Sequence, residues 1–281
     1  MLLIADAGNT KTTWILTDQA KVLKQITGDG ISPYFDDSLE IIEKIKNALA
    51  SIPMDQVREI RYYGTGCLYE AMQLKMKTIL AEITGKKSIA VSDDLTAAAL
   101  AVFGKDRGLI VVSGTGSNAG VCAKGVVVNR IKSLGYLLGD EGSGADIGFR
   151  FLKKHLSGGL PDEVADRFRE MAMKQDQEIL KEIYSRQKPQ AYAASFIPFI
   201  VKNLDIPEII TCVTSSFEAM FEQMILPLLC GQQETPLGFC GSVAKLFESE
   251  IRTVAGRHSL KIKTVLREPA IPLAHYLVND L

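Results

Sequence analysis

The sequence lacks the features that mark three large classes of protein. The five cysteines are scattered and odd in number, and none form a C-x-x-C pair, so neither a zinc site nor a disulfide framework is indicated. The net charge at pH 7 is only -1, which argues against a nucleic acid or an anionic membrane as partner. No apolar run approaches the roughly 20 residues needed to span a bilayer.

A leader segment and a flexible linker are missing from the pattern as well. Met1 leads almost directly into apolar residues, so the sequence predicts no cleavable signal peptide. With cysteines that suggest no disulfides, this favours a reduced, cytoplasmic protein. What remains is an ordinary globular composition, 47% hydrophobic and 23% charged, on 281 residues, which is enough for two domains.

Apolar segments in the first third of the chain alternate between strand and helix. Residues 2–4 and 14–16 predict the two strands of a hairpin. The first helix is predicted from apolar residues spaced by three and four, namely Leu39, Ile42, Ile45 and Leu49. The predicted order from there is helix 36–52, strand 57–67, helix 68–85, strand 87–94 and helix 95–104. Such alternation implies a parallel or mixed sheet covered by helices.

The pattern then restarts near Gly108. Residues 108–132 predict a strand, a glycine-rich turn and two more strands, which repeats the layout of the N-terminus. A long helical stretch, a strand–turn–helix unit and a final strand and helix follow. We therefore predict two α/β domains, 1–112 and 113–281, with a helical insertion at about 142–230. The last helix could pack back on the first domain.

The turn after the first predicted strand is more polar than a hairpin requires. It reads "ADAGNTKTTW" and offers backbone and side-chain donors from Gly8, Asn9, Thr10, Lys11 and Thr12. Backbone N–H groups of a tight turn form a nest for anions, and Lys and Thr add donors. The Asp6 carboxylate, beside a turn that binds phosphate, would be useful if a cation such as Mg²⁺ lies between the carboxylate and the phosphate. The alternative is a surface hairpin with an Asx turn.

A second polar turn, "SGTGSN", follows the apolar strand of the second predicted domain. Gly114 and Gly116 flank Thr115 and leave a bare backbone that a ligand can approach closely. Further on, "LGYLLGDEGSGADIG" encloses Asp140 and Glu141 between glycines. Helix capping would explain one acid there, but not two. Such a turn could present carboxylates to a polyhydroxylated ligand.

Two further segments end strands where open α/β sheets bind ligands. In "AVSDDLTAAAL", Asp93 ends the strand and is the better candidate for chemistry, and either Asp93 or Asp94 could cap the helix. In "GFCGSVA", Gly241 and Ser242 open a helix in a way that suits a flat ring lying on backbone. The three histidines have no metal-ligand partner at helical spacing and carry no predicted role.

These motifs together resemble a known family. "ADAGNTKTTWIL", "VVSGTGSN" and "GFCGSVA" are similar to the phosphate-1, phosphate-2 and adenosine segments of the actin/hexokinase/Hsp70 ATPase fold. "GTGSN" followed by "GDEGS" resembles the N-acetylglucosamine kinase-like branch of the BadF/BadG/BcrA/BcrD ATPase family. The resemblance runs in order through nearly the whole chain. It implies two ribonuclease H-like domains, of actin/hexokinase type, around a central cleft.

The resemblance also implies roles for individual residues. ATP would be bound by the first turn and by Gly114, Thr115, Gly116, Gly241 and Ser242, and Asp6 would hold Mg²⁺. Asp93 matches the carboxylate that takes the proton from the sugar 6-hydroxyl. The residues implied to contact the sugar are Asn118, Gly135, Tyr136, Asp140 and Ser32. The implied activity is ATP-dependent phosphorylation of an N-acetylhexosamine, most simply N-acetylglucosamine, by a homodimer.

Two departures and three alternatives remain open. Some relatives carry Asn where this chain has Ser32 and Pro33, and Trp where it has Tyr136, so the identity of the sugar is open. The same family contains ATPase activators of 2-hydroxyacyl-CoA dehydratases, which bind an iron–sulfur cluster through cysteines. "DAGNT" also resembles type III pantothenate kinases, which lack "GDEGS". A sugar sensor without catalysis on the same fold is the third alternative.

Overall fold

Contacts within a computed structural model, which describes residues 1–19, 21–34 and 36–279, divide the chain into two compact units. The first unit contains residues 1–107, the short segment 122–127 and the chain from Glu268 onward. The second unit contains 108–121 and 128–267. The division falls before Gly108 rather than after residue 112, because the strand that begins at Gly108 pairs entirely within the second unit.

Ten strands and thirteen α-helices are described. The strands are β1 Leu2–Ala7, β2 Lys11–Asp18, β3 Lys21–Asp29, β4 Glu59–Gly64, β5 Ile89–Asp93, β6 Gly108–Ser113, β7 Ser117–Ala123, β8 Val126–Arg130, β9 Leu237–Cys240 and β10 Ile262–Leu266. The helices are α1 Ser38–Leu49, α2 Glu70–Thr84, α3 Asp94–Phe103, α4 Gly144–Leu156, α5 Asp162–Ala172, α6 Asp176–Ser185, α7 Pro189–Ala194, α8 Ile197–Lys202, α9 Pro207–Met220, α10 Leu226–Leu229, α11 Ser242–Leu246, α12 Glu248–Arg257 and α13 Ala270–Asn279.

The two sheets have the same strand order. The first runs β3-β2-β1-β4-β5, with β1–β2 and β2–β3 antiparallel and β1–β4 and β4–β5 parallel. The second runs β8-β7-β6-β9-β10, with β6–β9 and β9–β10 parallel. Numbered within its own unit, each sheet reads 3-2-1-4-5, so the repeat predicted from the sequence is a repeat of topology. The predicted α/β class of two actin/hexokinase-type domains is confirmed.

Side chains alternate along β1, and this alternation separates two layers of the first unit. Leu3 and Ala5 face a core that contains Trp14 and Tyr62. Leu2 and Ile4 face the opposite core, which includes residues of α3 and α13. Asp6 continues the second series and therefore lies on the side of the sheet covered by α3 and α13.

Helix α1 differs in phase from its prediction. The Asp37 side chain caps it by accepting a hydrogen bond from the Glu40 backbone N–H at 2.8 Å. Its buried face is formed by Ile41, Ile45, Ala48 and Leu49. Leu39 is 78% exposed, because it lies in the first turn on the solvent side.

Strand β3 was missed, since its residues alternate only between exposed and half-buried, as on an edge strand.

Helices α4 to α10 follow one another in the second unit between Gly144 and Leu229. Helices α9 and α10 join through a π-helical turn, Phe221–Ile225, so that residues 207–229 form one continuous helix. By length and hydropathy this helix could cross a membrane. Its apolar residues Val213, Phe217 and Phe221 instead pack in the core of the unit.

Candidate functional site

The polar turn of the first unit is held rigidly at the end of β1. The Gly8 N–H donates to the Lys11 carbonyl at 2.9 Å, and the Ile31 N–H donates to the Gly8 carbonyl at 3.1 Å. Gly30 lies so close that a Cβ there would sit 2.3 Å from the Asn9 carbonyl oxygen. Asn9, Thr10 and Lys11 remain exposed. The turn therefore presents its polar groups to solvent without depending on a ligand for its shape.

Three carboxylates and one lysine meet beside this turn. Burial, followed by the nearby Asp94 and Glu268 carboxylates, raises the pKa of Asp6 to about 7, against a smaller opposing effect of Lys11. Lys11 forms an ion pair with Glu268, which precedes α13. Crowding of acids in a poorly solvated place favours their protonation unless a cation is present. This cluster could thus bind a cation and an anionic ligand together.

The two neighbouring aspartates play different structural parts. Asp93, not Asp94, caps α3: its Oδ1 accepts from the Thr96 N–H at 3.1 Å and its Oδ2 from the Thr96 hydroxyl at 3.2 Å. Asp93 is buried, whereas Asp94 is half-buried. Burial and the Asp93 charge raise the pKa of Asp94 to about 6, although the Thr65 side chain donates a hydrogen bond to it. Asp94 is thus the member of the pair next to Asp6.

Other predicted residues of the first unit lie less favourably. The Thr12 hydroxyl is fully buried in β2, on the opposite face from Asp6, without a hydrogen-bond partner in the part of the chain that the structure describes. Thr13, which sequence reasoning missed, pairs with Asp6 across the strands. Ser32 is buried, and its N–H donates to Asp36 Oδ2 at 3.0 Å. Asp36 is in turn bound by Lys44 at 2.9 Å, so the loop that carries Ser32 is fixed.

In the second unit the two glycine-rich motifs form one structure. The Ser113 hydroxyl donates to the Gly142 carbonyl at 2.8 Å, and the Ser117 hydroxyl donates to the Glu141 carbonyl at 2.8 Å. The Gly144 N–H donates to the Gly114 carbonyl at 2.8 Å. "SGTGS" and "GDEGS" are therefore bound along their length. The pairing seen in the sequence is a contact in space.

Gly241 joins the same structure from β9. Its φ is +129°, and a Cβ would lie 2.1 Å from the Ser113 carbonyl oxygen, so only glycine fits. Its N–H donates to the Leu266 carbonyl at 2.9 Å. Ser242, the first residue of α11, is exposed. The predicted adenosine segment thus adjoins the predicted phosphate loop.

The backbone conformation, pKa and hydrogen bonding of Asp140 are all those of a carboxylate suited to bind a ligand. Its backbone is left-handed, with φ +61°, which is unusual for a residue other than glycine. Burial raises the pKa of its carboxyl, as do the Glu141 and Asp146 charges. The Ser117 N–H donates to Oδ1 at a long 3.4 Å. A ligand hydroxyl could therefore bind this carboxylate more closely.

The remaining predicted sugar contacts are dispersed over the same unit. Asn118 Oδ1 accepts from the Ala119 N–H at 2.8 Å, which leaves its amide group as a donor. Tyr136 stacks on Phe149, with 6.1 Å between ring centroids. Gly135 has φ +71° and open space where a Cβ would be. Of these residues, Tyr136 is held by packing, whereas Gly135 lies open.

Glu268 and Thr65, like Thr13, are functional candidates that sequence reasoning missed. Glu268 approaches Lys11 from the far end of the sequence, and Thr65 follows β4, donating through its N–H to the Ala7 carbonyl at 2.9 Å. The only sequence signal for Glu268 is an acid before Pro269, just after the last strand. Glu268 is recognised as a candidate only from the structure, in which it lies between β10 and α13.

The donor set of the first unit fits Mg²⁺. Asp6 has neighbouring carboxylates but too few cations to balance them. Among the described residues no three His, Cys, Asp or Glu side chains are arranged to enclose a metal ion. Mg²⁺ is commonly held by one or two carboxylates, with waters and substrate phosphates completing its octahedron. The arrangement at Asp6 therefore suits a metal that arrives with a nucleotide.

Comparisons with known proteins complement this geometry. Comparisons with family models and with curated proteins give no match. The chain is similar in structure to a proposed N-acetylglucosamine kinase from Porphyromonas gingivalis, with 30% identity, a TM-score of 0.95, and coverage of 100% of this chain and 99% of that one. A second proposed N-acetylglucosamine kinase, from Chromobacterium violaceum, has 18% identity, a TM-score of 0.76, and coverage of 99% and 98%.

A third solved structure shows the fold alone. It is a ROK family glucokinase from Streptomyces griseus in complex with glucose and AMPPNP, with 13% identity, a TM-score of 0.59, and coverage of 98% of this chain and 97% of that one. The full-length likeness at 30% identity goes further than fold. The chain belongs to the N-acetylglucosamine kinase-like branch of the BadF/BadG/BcrA/BcrD ATPase family, within the actin/hexokinase fold.

Proposed function

We propose that the protein is an ATP- and Mg²⁺-dependent kinase that phosphorylates the 6-hydroxyl of an N-acetylhexosamine, most simply N-acetylglucosamine. The observation that carries the proposal is the meeting of Asp6, Asp94 and Lys11 beside a rigid polar turn. Phosphoryl transfer requires positioning and charge neutralisation more than covalent chemistry by the protein. A lysine, a carboxylate for Mg²⁺ and a second carboxylate are the parts that such a site requires.

The acid–base role falls to the Asp93–Asp94 pair, and Asp94 is the favoured base. Sequence resemblance favours Asp93, but both oxygens of its carboxylate accept hydrogen bonds from Thr96. Asp94 is half-buried, and its pKa of about 6 suits a base near neutral pH. In the proposed step Asp94 takes the proton of the sugar hydroxyl. The oxygen of that hydroxyl bonds to the γ-phosphorus of ATP as the bond from this phosphorus to ADP breaks, and ADP leaves.

Phosphate and sugar are proposed to bind through complementary groups. Lys11 and the backbone of Asn9 and Thr10 neutralise phosphate, and Gly114–Gly116 offers a second bare backbone loop. Mg²⁺ held by Asp6 would neutralise further negative charge on the phosphates. Asp140 accepts a hydrogen bond from a sugar hydroxyl, and the Asn118 amide donates one.

Phosphoryl transfer, resolved by mass, tests the proposal. The purified protein with Mg-ATP is offered N-acetylglucosamine, N-acetylmannosamine, N-acetylmuramic acid, glucosamine and glucose. Transfer to an N-acetylated sugar, lost in Asp94→Asn, is the expected result. Absence of transfer to every sugar would overturn the kinase proposal, and sugar binding without transfer would indicate a sensor.

The dehydratase-activator alternative is disfavoured by the cysteines. Four of the five are buried, and only Cys230 is exposed. A cluster that bridges subunits would require thiolates at a surface. A cytoplasmic homodimer remains part of the proposal, to be tested by the mass of the protein in solution.

A further inference from the structure

A cavity of ≈ 240 Å³ lies in the second unit, next to Asp140. Its wall is mostly apolar, formed by Ile131, Leu134, Leu138 and Met224. The polar residues that line the same cavity are Asp140, Glu141, Ser117, Lys132, Ser133 and Gln223. For comparison, an enclosed cavity of about 150 Å³ lined by Leu, Ile and Phe holds a molecule as large as benzene. The methyl of an acetyl group would therefore leave most of this space empty.

The cavity is built from a fixed side and an open side. Met224 lies in the π-helical turn Phe221–Ile225, is 4% exposed, and receives a contact from the Ser117 hydroxyl at 3.8 Å. π-Helical turns inside α-helices occur often at functional sites. Leu134 and Leu138 belong to the loop that precedes "GDEGS" and are 57% and 75% exposed. The fold does not need these leucines for its core, so their apolar surface is available to a ligand.

The polar and apolar parts of the cavity define the chemistry of its occupant. The Asp140 and Glu141 carboxylates accept hydrogen bonds from hydroxyl or amide groups and Lys132 donates them, while Leu134, Leu138 and Met224 offer apolar surface to an apolar group. A plain sugar satisfies only the first part, and a hydrocarbon only the second. Both are satisfied by a sugar that carries an apolar substituent.

We infer that this cavity binds an apolar substituent, larger than a methyl group, on the amino sugar that Asp140 holds. The inference rests on the proposed function and specifies its substrate class: an amino sugar with an acyl group of about four carbons on nitrogen, or with an aglycone of similar size on the anomeric oxygen. Each further methylene buried in the cavity strengthens binding about three- to fourfold. Butanoyl is therefore expected to bind about tenfold more tightly than acetyl.

Titration calorimetry on the full chain tests the inference with two series of probes. One series is glucosamine with N-acetyl, N-propanoyl and N-butanoyl groups. The other is N-acetylglucosamine and its methyl and butyl glycosides. The expected result is affinity that rises with chain length in one series, which identifies the position of the substituent. Equal or falling affinity in both series would overturn the inference.

Leu138→Ala and Leu137→Ala form a matched pair. Leu137 is 77% exposed on the same loop but lies outside the cavity lining. Leu138→Ala should reduce the preference for the longer chain about threefold or more, and Leu137→Ala should leave it unchanged. Equal effects of the two variants would contradict the inference. A length preference without phosphoryl transfer would support the cavity while refuting the kinase, and transfer without a preference would do the reverse.

Discussion

The two units share one strand order but equip the same turn differently. After β1 the turn carries Asn9, Thr10 and Lys11, and three carboxylates crowd beside it. After β6 the turn is Gly-Thr-Gly, and its surroundings are joined by serine hydroxyls and backbone groups. One topology therefore supports a lysine among three carboxylates beside the turn of the first unit, and a bare backbone turn next to the Asp140 carboxylate in the second. The chemistry is determined by the turn, and the sheet only positions it.

The largest predicted effect is the loss of turnover when Asp94, the proposed base in the first unit, is removed. Asp94→Asn keeps the size of the side chain but removes proton acceptance, so turnover should fall by about 10²-fold or more. Asp93→Asn should leave turnover within a few-fold, because Asn caps a helix almost as well as Asp. Steady-state kinetics and thermal melts of both variants are the measurement. Loss of turnover in Asp93→Asn alone would return the base to Asp93.

In the second unit the largest effect should come from backbone crowding. Gly241→Ala places a Cβ 2.1 Å from the Ser113 carbonyl oxygen at a φ of +129°, so the free energy of unfolding should fall by about 2–4 kcal/mol. Gly114→Ala is its control, because a Cβ there has nothing within 4 Å. That variant should remain stable and raise the KM for ATP severalfold if phosphate approaches the loop. Urea unfolding of both variants is the measurement. Equal stability of the two variants would contradict the prediction.

The free energy of unfolding should depend on pH through Asp6, which lies in the first unit. A folded pKa of about 7 for Asp6, above the ordinary 3.8, means that the folded state binds more protons than the unfolded state between those values. Stability of the ligand-free protein should thus decrease as the pH rises through this window and level off above about 7. Asp6→Asn should remove much of this decrease and melt a few degrees higher at about pH 8. Parallel pH profiles of variant and parent would refute the assignment.

The smallest expected effect concerns the ion pair at the turn. Glu268→Gln removes the carboxylate that competes with phosphate for Lys11, so affinity for ATP should rise about two- to fivefold. Calorimetry with ATP at two salt concentrations measures it, and the gain should shrink at high salt. Glu248→Gln, which removes an ion-pair partner of Lys245 in the second unit, is the control. Weaker ATP binding in Glu268→Gln would mean that Glu268 assists the nucleotide.

The sequence predicted those parts of the fold that depend on local pattern. The β1–β2 hairpin, the second repeat and the helical stretch follow from periodicity, and the two glycine-rich motifs that the sequence singled out lie in contact in the second unit. The part played by Asp93 and Asp94 could not be predicted, because a helix start that shifts by one residue exchanges cap and exposed acid. Glu268 could not be predicted either, since only the folded chain brings it to Lys11 across 257 positions.

The burial of Trp14 gives the protein an internal probe for unfolding. Trp14 is the single tryptophan, lies wholly buried in β2, and has the Tyr62 ring 6.1 Å away. Intrinsic fluorescence on excitation of tryptophan therefore reports the loss of the first unit alone. Far-ultraviolet circular dichroism is dominated by helices, of which α4 to α12 belong to the second unit. The separation between the fluorescence and dichroism midpoints in one thermal scan would measure how cooperatively the two units unfold.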